Sequence, residues 1–148
     1  MIIRRAGVED VPAIVGMLAD DHLGRQREAV DDLEPYVAAF RKIDADPDEV
    51  LVVAERDGVV VGTLQLTVLA GLSRRGSVRG QVEGVRVARE ARGEGIGEVL
   101  VRWAVEEARA RGCVLVQLTS DKSREGAHRF YQRLGFVGSH EGFKLNLE

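Results

Sequence analysis

Apolar residues recur along this chain at two different periods, and each change of period marks an element. Met1–Arg5 reads as a short strand. Over residues 10–20, Val11, Ile14, Val15 and Leu18 fall at i, i+3, i+4 and i+7, one face of a helix, with Pro12 tolerated in its first turn. His22–Val30 is charged and weakly periodic, which suits a loop. Helical spacing returns over Asp31–Ile43 through Leu33, Val37 and Phe40, with Asp31 or Asp32 as the opening cap. The pattern then turns to strands: Val50–Glu55 and Val59–Leu69, joined by the hairpin dipeptide Asp57-Gly58. Ala70–Gly76 is a loop and Val78–Val87 a third long strand. Arg92–Arg111 predicts a helix with Ile96, Leu100, Trp103 and Ala104 on one face, stopped by Gly112. Val114–Leu118 is a strand of the buried type. Glu125–Leu134 is a short helix presenting Ala127, Phe130, Tyr131 and Leu134 together, ended by Gly135. Phe143–Leu147 alternates and is expected to close the sheet.

The resulting order, β-α-α-β-β-β-α-β-α-β, is an α/β fold with an antiparallel meander and one strand–helix–strand crossover. The crossover requires a parallel pair, so the sheet is mixed and mostly antiparallel. With 148 residues, no repeat and no low-complexity linker, one domain over residues 1–148 is expected. Apolar residues at 45% and charged residues at 30% suit a globular chain. A net charge of −3 argues against nucleic acid as a partner. The N-terminus lacks the apolar run of a signal peptide, and Val59–Leu72 is too short and too interrupted to span a bilayer, so a cytoplasmic protein without a membrane partner is expected. Cys113 is the only cysteine, which excludes an intrachain disulfide and multi-cysteine metal sites. His22, His128 and His140 lack metal-ligand spacing, so no metal is expected. The bias of 18 Arg over 3 Lys suits phosphate recognition and equally suits base composition.

The segment Val82–Glu98 carries the strongest chemical signal. A strand runs into Arg92-Gly93-Glu94-Gly95-Ile96-Gly97-Glu98 and then into a long helix. Three glycines at alternate positions leave backbone N–H groups accessible to an anion, with the positive end of the helix dipole behind them. A tight strand-to-helix turn would use such glycines as well. The Lys-Ser/Thr of an ATP-binding loop is missing, and the dinucleotide pattern fails because Glu98 stands where its third glycine belongs.

Arg92-x-x-Gly95-x-Gly97 after a strand resembles motif A of the GNAT superfamily of acyl-CoA N-acyltransferases. Ala127-His128-Arg129-Phe130-Tyr131-Gln132-Arg133-Leu134-Gly135-Phe136 resembles its motif B, and the order of elements agrees along nearly the whole chain. The resemblance implies an N-acetyltransferase that uses acetyl-CoA as co-substrate and acetylates a primary amine by direct attack in a ternary complex. The acceptor would be a small molecule or a peptide, and a homodimer is compatible with this reading. The pantetheine arm would enter between the Val82–Val87 and Val114–Leu118 strands, against the backbone of Val85, Arg86 and Val87. The pyrophosphate would rest on Gly93, Glu94, Gly95, Ile96, Gly97 and Glu98 with Arg92 beside it, and Phe130 would complete the cofactor contacts. Arg124 stands where the family often has Asn; it would reach a phosphate or remain solvated.

Tyr131 occupies the family's general-acid position; otherwise it is a core aromatic beside Phe130. Glu83 is the best base candidate, because simple alternation puts it on the face of Val85 and Val87, an odd place for a carboxylate unless it lines a cavity. It could instead anchor a substrate ammonium or pair with Arg79 or Arg86. Cys113 is expected to be inert packing. The acceptor pocket is expected along His22–Val30, the Asp31–Ile43 helix, Gln65, Thr67 and the Ser139–Gly142 loop. The alternative to an enzyme is a non-catalytic acyl-CoA-binding sensor or regulatory domain.

Overall fold

Five strands in spatial order β1-β2-β3-β4-β5 organise the computed structural model, which describes residues 1–148. The elements are β1 (Ile2–Arg5), α1 (Val11–Ala19), α2 (Gly24–Arg27), α3 (Glu34–Ala45), β2 (Glu49–Arg56), β3 (Val59–Leu69), α4 (Ser73–Gly76), β4 (Val78–Val87), α5 (Ile96–Ala110), β5 (Cys113–Gln117) and α6 (Glu125–Arg133). They fall into two compact units, Met1–Gln117 and Leu118–Glu148. In the first, β1 to β4 pair antiparallel, and β5 joins β4 in parallel after the α5 crossover. The sheet is therefore mixed and mostly antiparallel, as its pattern predicts.

Local chemistry explains the boundaries. Asp57 and Gly58 both have positive φ, 53° and 78°, the turn that matches the twist of the β2–β3 hairpin. α3 starts at Glu34, past Asp31 and Asp32, and neither aspartate caps it: Leu33 is the cap residue and makes no side-chain cap bond. Pro35 sets this first turn, where its missing N–H costs nothing. α5 starts at Ile96 rather than Arg92, because Gly93 and Gly95 at φ 84° and 82° cannot continue a right-handed helix.

The sheet is covered on both faces. α1 and α3 pack Val11, Ile14, Val15 and Phe40 against Val53 on one face. α5 covers the other, where glycines let it sit close. A Cβ at Gly62 would lie 2.9 Å from Leu100 Cδ1, and one at Gly80 would lie 3.1 Å from Ala108 Cβ. Burial on both sides explains the unbroken apolar run Val52-Val53-Ala54, each fully buried.

Phe143–Leu147 forms no strand. Phe143, Leu145 and Leu147 are 91%, 85% and 91% exposed, so this segment does not close the sheet. Alternation defines two faces but supplies no partner edge, and a strand requires one.

A buried carboxylate braces the N-terminal turn. Asp10 accepts from both Arg4 guanidinium nitrogens at 2.7 and 3.0 Å and from the Gly7 N–H at 2.7 Å. The Arg4 guanidinium holds the Asp10 carboxyl below its usual range. A depressed folded-state pKa stabilises above the unfolded value and is lost as pH falls through the folded one. Asp10→Asn should therefore cost about 1–3 kcal/mol at neutral pH, with the gap to the parent narrowing below pH ~4. Urea unfolding at pH 7 and pH 3 checks both parts.

Candidate active site

The turn from β4 into α5 leaves the start of the helix open. Gly95, left-handed, is the cap residue of α5 and offers no side-chain cap bond. The first backbone bond of the helix runs from the Val99 N–H to the Gly95 carbonyl at 3.2 Å, so the N–H groups of Ile96, Gly97 and Glu98 have no partner within the helix. A Cβ at Gly93 or Gly95 would meet nothing within 4 Å; positive φ selects glycine there, and the space above it stays open. The acidic residues alongside are paired: Glu94 with Arg56 at 3.2 Å and Glu98 with Arg102 at 3.7 Å. Arg92 reaches the Val87 carbonyl at 3.3 Å and Asp20 at 3.4 Å, and Asp20 also takes Arg89.

Beside this turn the sheet opens. β4 and β5 pair only from Val78↔Cys113 to Gln81↔Gln117, so residues 82–87 continue with no strand of the sheet on that side. A backbone edge with no sheet strand beside it, leading to a glycine-opened helix terminus, has the shape for an extended amide-bearing arm that ends in a diphosphate.

A β-bulge then decides which face each β4 side chain takes. Thr63 pairs with Arg86 and Gln65 with Glu83, leaving Leu64 opposite both Gly84 and Val85, with Gly84 at φ 65°. Residues directly opposite share a face. Val87 therefore follows Gly62 toward α5, whereas Glu83 and Arg86 lie with Gln65 and Thr63 on the opposite face. This corrects simple alternation, which groups Glu83 with Val85 and Val87. Glu83 is exposed rather than enclosed by apolar neighbours. It is in no ion pair with Arg86, which instead meets Asp21 at 3.2 Å and donates to the Val85 carbonyl at 2.9 Å.

On the same face lies a cavity of about 130 Å³. Val11, Ile14 and Leu18 of α1 and Tyr36 and Phe40 of α3 roof it, Leu51, Thr63 and Gln65 floor it, and Gly84 stands at its edge. The lining includes the expected α3 helix and Gln65, adds α1, and contains neither Thr67 nor any residue of His22–Val30. Thr67 instead serves a carboxylate that sequence reasoning missed. Glu49 Oε2 accepts from Gln65 Nε2 and Thr67 Oγ1, each at 2.8 Å. No local signal marks Glu49, since only the pairing of β2 with β3 brings it to Gln65.

In the second unit, Tyr131 is packed edge-on between Phe130 and Phe136, with ring centroids at 5.0 and 5.7 Å. Arg133 lies over the Phe130 ring at 5.6 Å. Arg124 is the cap residue of α6, its carbonyl accepting from the His128 N–H at 3.1 Å. His128 Nε2 lies 2.9 Å from the Asp121 carbonyl, which ties this helix to its preceding turn. In the first unit, burial pushes the Cys113 thiol pKa up, which disfavours the nucleophilic thiolate.

Residues 14–136 match the acetyltransferase (GNAT) family. The aminoalkylphosphonate N-acetyltransferase of Salmonella typhimurium is 30% identical over 141 residues, 95% of this chain and 88% of that protein. Glucosamine 6-phosphate N-acetyltransferase 1 of Oryza sativa subsp. japonica is 36% identical over 107 residues, 70% of this chain and 63% of that protein. Among solved structures, a Bacillus halodurans C-125 protein described as a transcriptional regulator superposes with a TM-score of 0.94 at 48% identity, covering 99% of each chain.

Proposed function

Because the chain belongs to the acetyltransferase (GNAT) family and is thereby an acyltransferase, we propose that residues 1–148 act as one N-acetyltransferase domain acetylating the primary amine of a small molecule from acetyl-CoA. The observation that carries this reading is the β4 edge over residues 82–87, beside which no sheet strand pairs, running into the open N-terminus of α5. The edge supplies backbone partners for pantetheine amides, and the N–H groups of Ile96, Gly97 and Glu98 suit the pyrophosphate. Two named relatives whose acceptors are amines support the acceptor class.

Acetyl-CoA supplies a thioester carbonyl already activated for attack. Glu83, exposed on the cavity face, takes a proton from the acceptor ammonium, directly or through water. The Val85 N–H polarises the carbonyl oxygen as charge develops there. Tyr131 donates a proton to the departing sulfur. A thiol has a pKa of about 8.5 and leaves well unaided, so Tyr131 contributes less than Glu83.

Acetyl-CoA at about 100 times its Kd should stabilise the protein by about 2.7 kcal/mol, read as a thermal shift, while ATP and NAD give none. A shift with ATP or NAD and none with acetyl-CoA would sink the proposal. The description of the Bacillus halodurans neighbour favours a second reading, a regulator that responds to acyl-CoA occupancy. Thiol release that requires an added amine supports the enzyme; an acetyl-CoA shift without such release supports the regulator.

A further inference from the structure

The cavity on the Glu83 face has a chemistry of its own. Of its twelve lining residues none is charged, and only Tyr36, Thr63 and Gln65 carry polar side-chain atoms. Two of these have their donor hydrogens committed: the Thr63 hydroxyl donates to the Val52 carbonyl at 2.9 Å, and the Tyr36 hydroxyl donates to Glu28 at 2.8 Å and accepts from the Ala29 N–H. Gln65 gives its Nε2 to Glu49, which leaves its carbonyl oxygen, an acceptor, for a ligand. The walls therefore offer apolar surface and an acceptor, and no cation.

That inventory excludes one kind of substrate and favours another. A phosphate or phosphonate placed here would be a buried anion without a partner, which is costly. Of the arginines that the register puts on this face, Arg86 is engaged by Asp21 and the Val85 carbonyl, Arg4 by Asp10 and Glu55, and Arg79, opposite Leu69, does not line the cavity, so none serves an anion placed inside it. An apolar cavity of about 150 Å³ accommodates a benzene ring, and this one is close to that size. At its exposed edge, Gly84 adjoins Glu83, and Glu83 faces Gln65 across the strand pair. Glu49 is tied to Gln65 from the other side. Two carboxylates thus flank the one polar end of an apolar cavity, an arrangement suited to an ammonium.

We infer that the acceptor is a primary amine on an uncharged apolar body of about one aromatic ring, its body beneath α1 and α3 and its nitrogen at Gln65 and Gly84. The inference rests on the acetyl-transfer reading above and departs from the phosphonate and phosphate acceptors named for the two relatives.

Thiol release from acetyl-CoA tests it with 2-phenylethylamine, 2-aminoethylphosphonate and glucosamine 6-phosphate. The expected kcat/KM for 2-phenylethylamine exceeds that of either anionic amine by about 10–100-fold, the worth of burying one aromatic body. Ala39→Phe, on the exposed side of α3 but lining the cavity, should raise KM for 2-phenylethylamine and leave the acetyl-CoA thermal shift unchanged. Equal or better turnover of an anionic amine overturns the inference, as does an Ala39→Phe variant that folds and keeps its KM. Absence of turnover with every amine while acetyl-CoA still binds overturns it too. Loss of the acetyl-CoA shift itself is a different outcome and strikes the acetyl-transfer reading instead.

Discussion

Glu83→Gln should lower acetyl transfer at pH 7 by about 10²–10⁴-fold without unfolding the protein, the range typical of a positioned proton transfer. The side chain is exposed and outside any ion pair, so its replacement by an isosteric amide removes little packing. The defect should depend on pH in a way that a structural defect would not. An alkylammonium with a pKa near 10.4 is almost wholly protonated at pH 7, and the enzyme must then remove its proton. As the pH approaches 10, solution supplies neutral amine, and the gap between Glu83→Gln and the parent should shrink. Tyr131→Phe should stay at the low end of the same range, because the thiolate leaves without much help. A Glu83→Gln defect that stays constant from pH 7 to 10 would assign Glu83 to acceptor binding or structure instead.

Gly95→Asp should abolish the acetyl-CoA thermal shift. Two effects act there, and a second variant separates them. Any L-residue at φ 82° is strained, by about 1–2 kcal/mol. Gly95→Ala carries that strain, and its Cβ meets no protein atom within 4 Å, so it should lower the melting temperature by about as much as Gly95→Asp. Only Gly95→Asp also sets a negative charge against the pyrophosphate, a like-charge contact that costs several kcal/mol and raises Kd by at least about 100-fold. A Gly95→Asp protein that stays folded and binds acetyl-CoA normally would reduce the glycines to turn residues.

The contrast between Gly95 and Glu83 shows which features were legible. The role of Gly95 is local: a left-handed residue between a strand and a helix is written in the order of neighbouring residues. The same holds for the Asp57-Gly58 turn and for the period change after α3. The family resemblance, carried by Arg92 to Gly97 and Ala127 to Phe136, belongs to this class because each motif is contiguous. Glu83 does not. Its face depends on one extra residue in β4, and a one-residue slip turns every later side chain to the other side of the sheet. Gly84 is compatible with either register, and only the pairing of Thr63 with Arg86 and Gln65 with Glu83 reveals the bulge.

By itself the sequence determined the types of the long helices and strands, the glycine-opened start of α5 and the family, because each rests on contiguous patterns, and the mixed sheet followed from the order of those elements. Only the tertiary structure decided that Glu83 shares a face with Gln65, that Glu49 joins them, and that Asp20 and Asp21 hold Arg92 and Arg86. It also decided that Phe143–Leu147 stays outside the sheet despite its alternation. These outcomes join segments tens of residues apart. A residue's spacing from its neighbours sets the period of its element, but its partners across the sheet are chosen by register and packing, which no local pattern encodes.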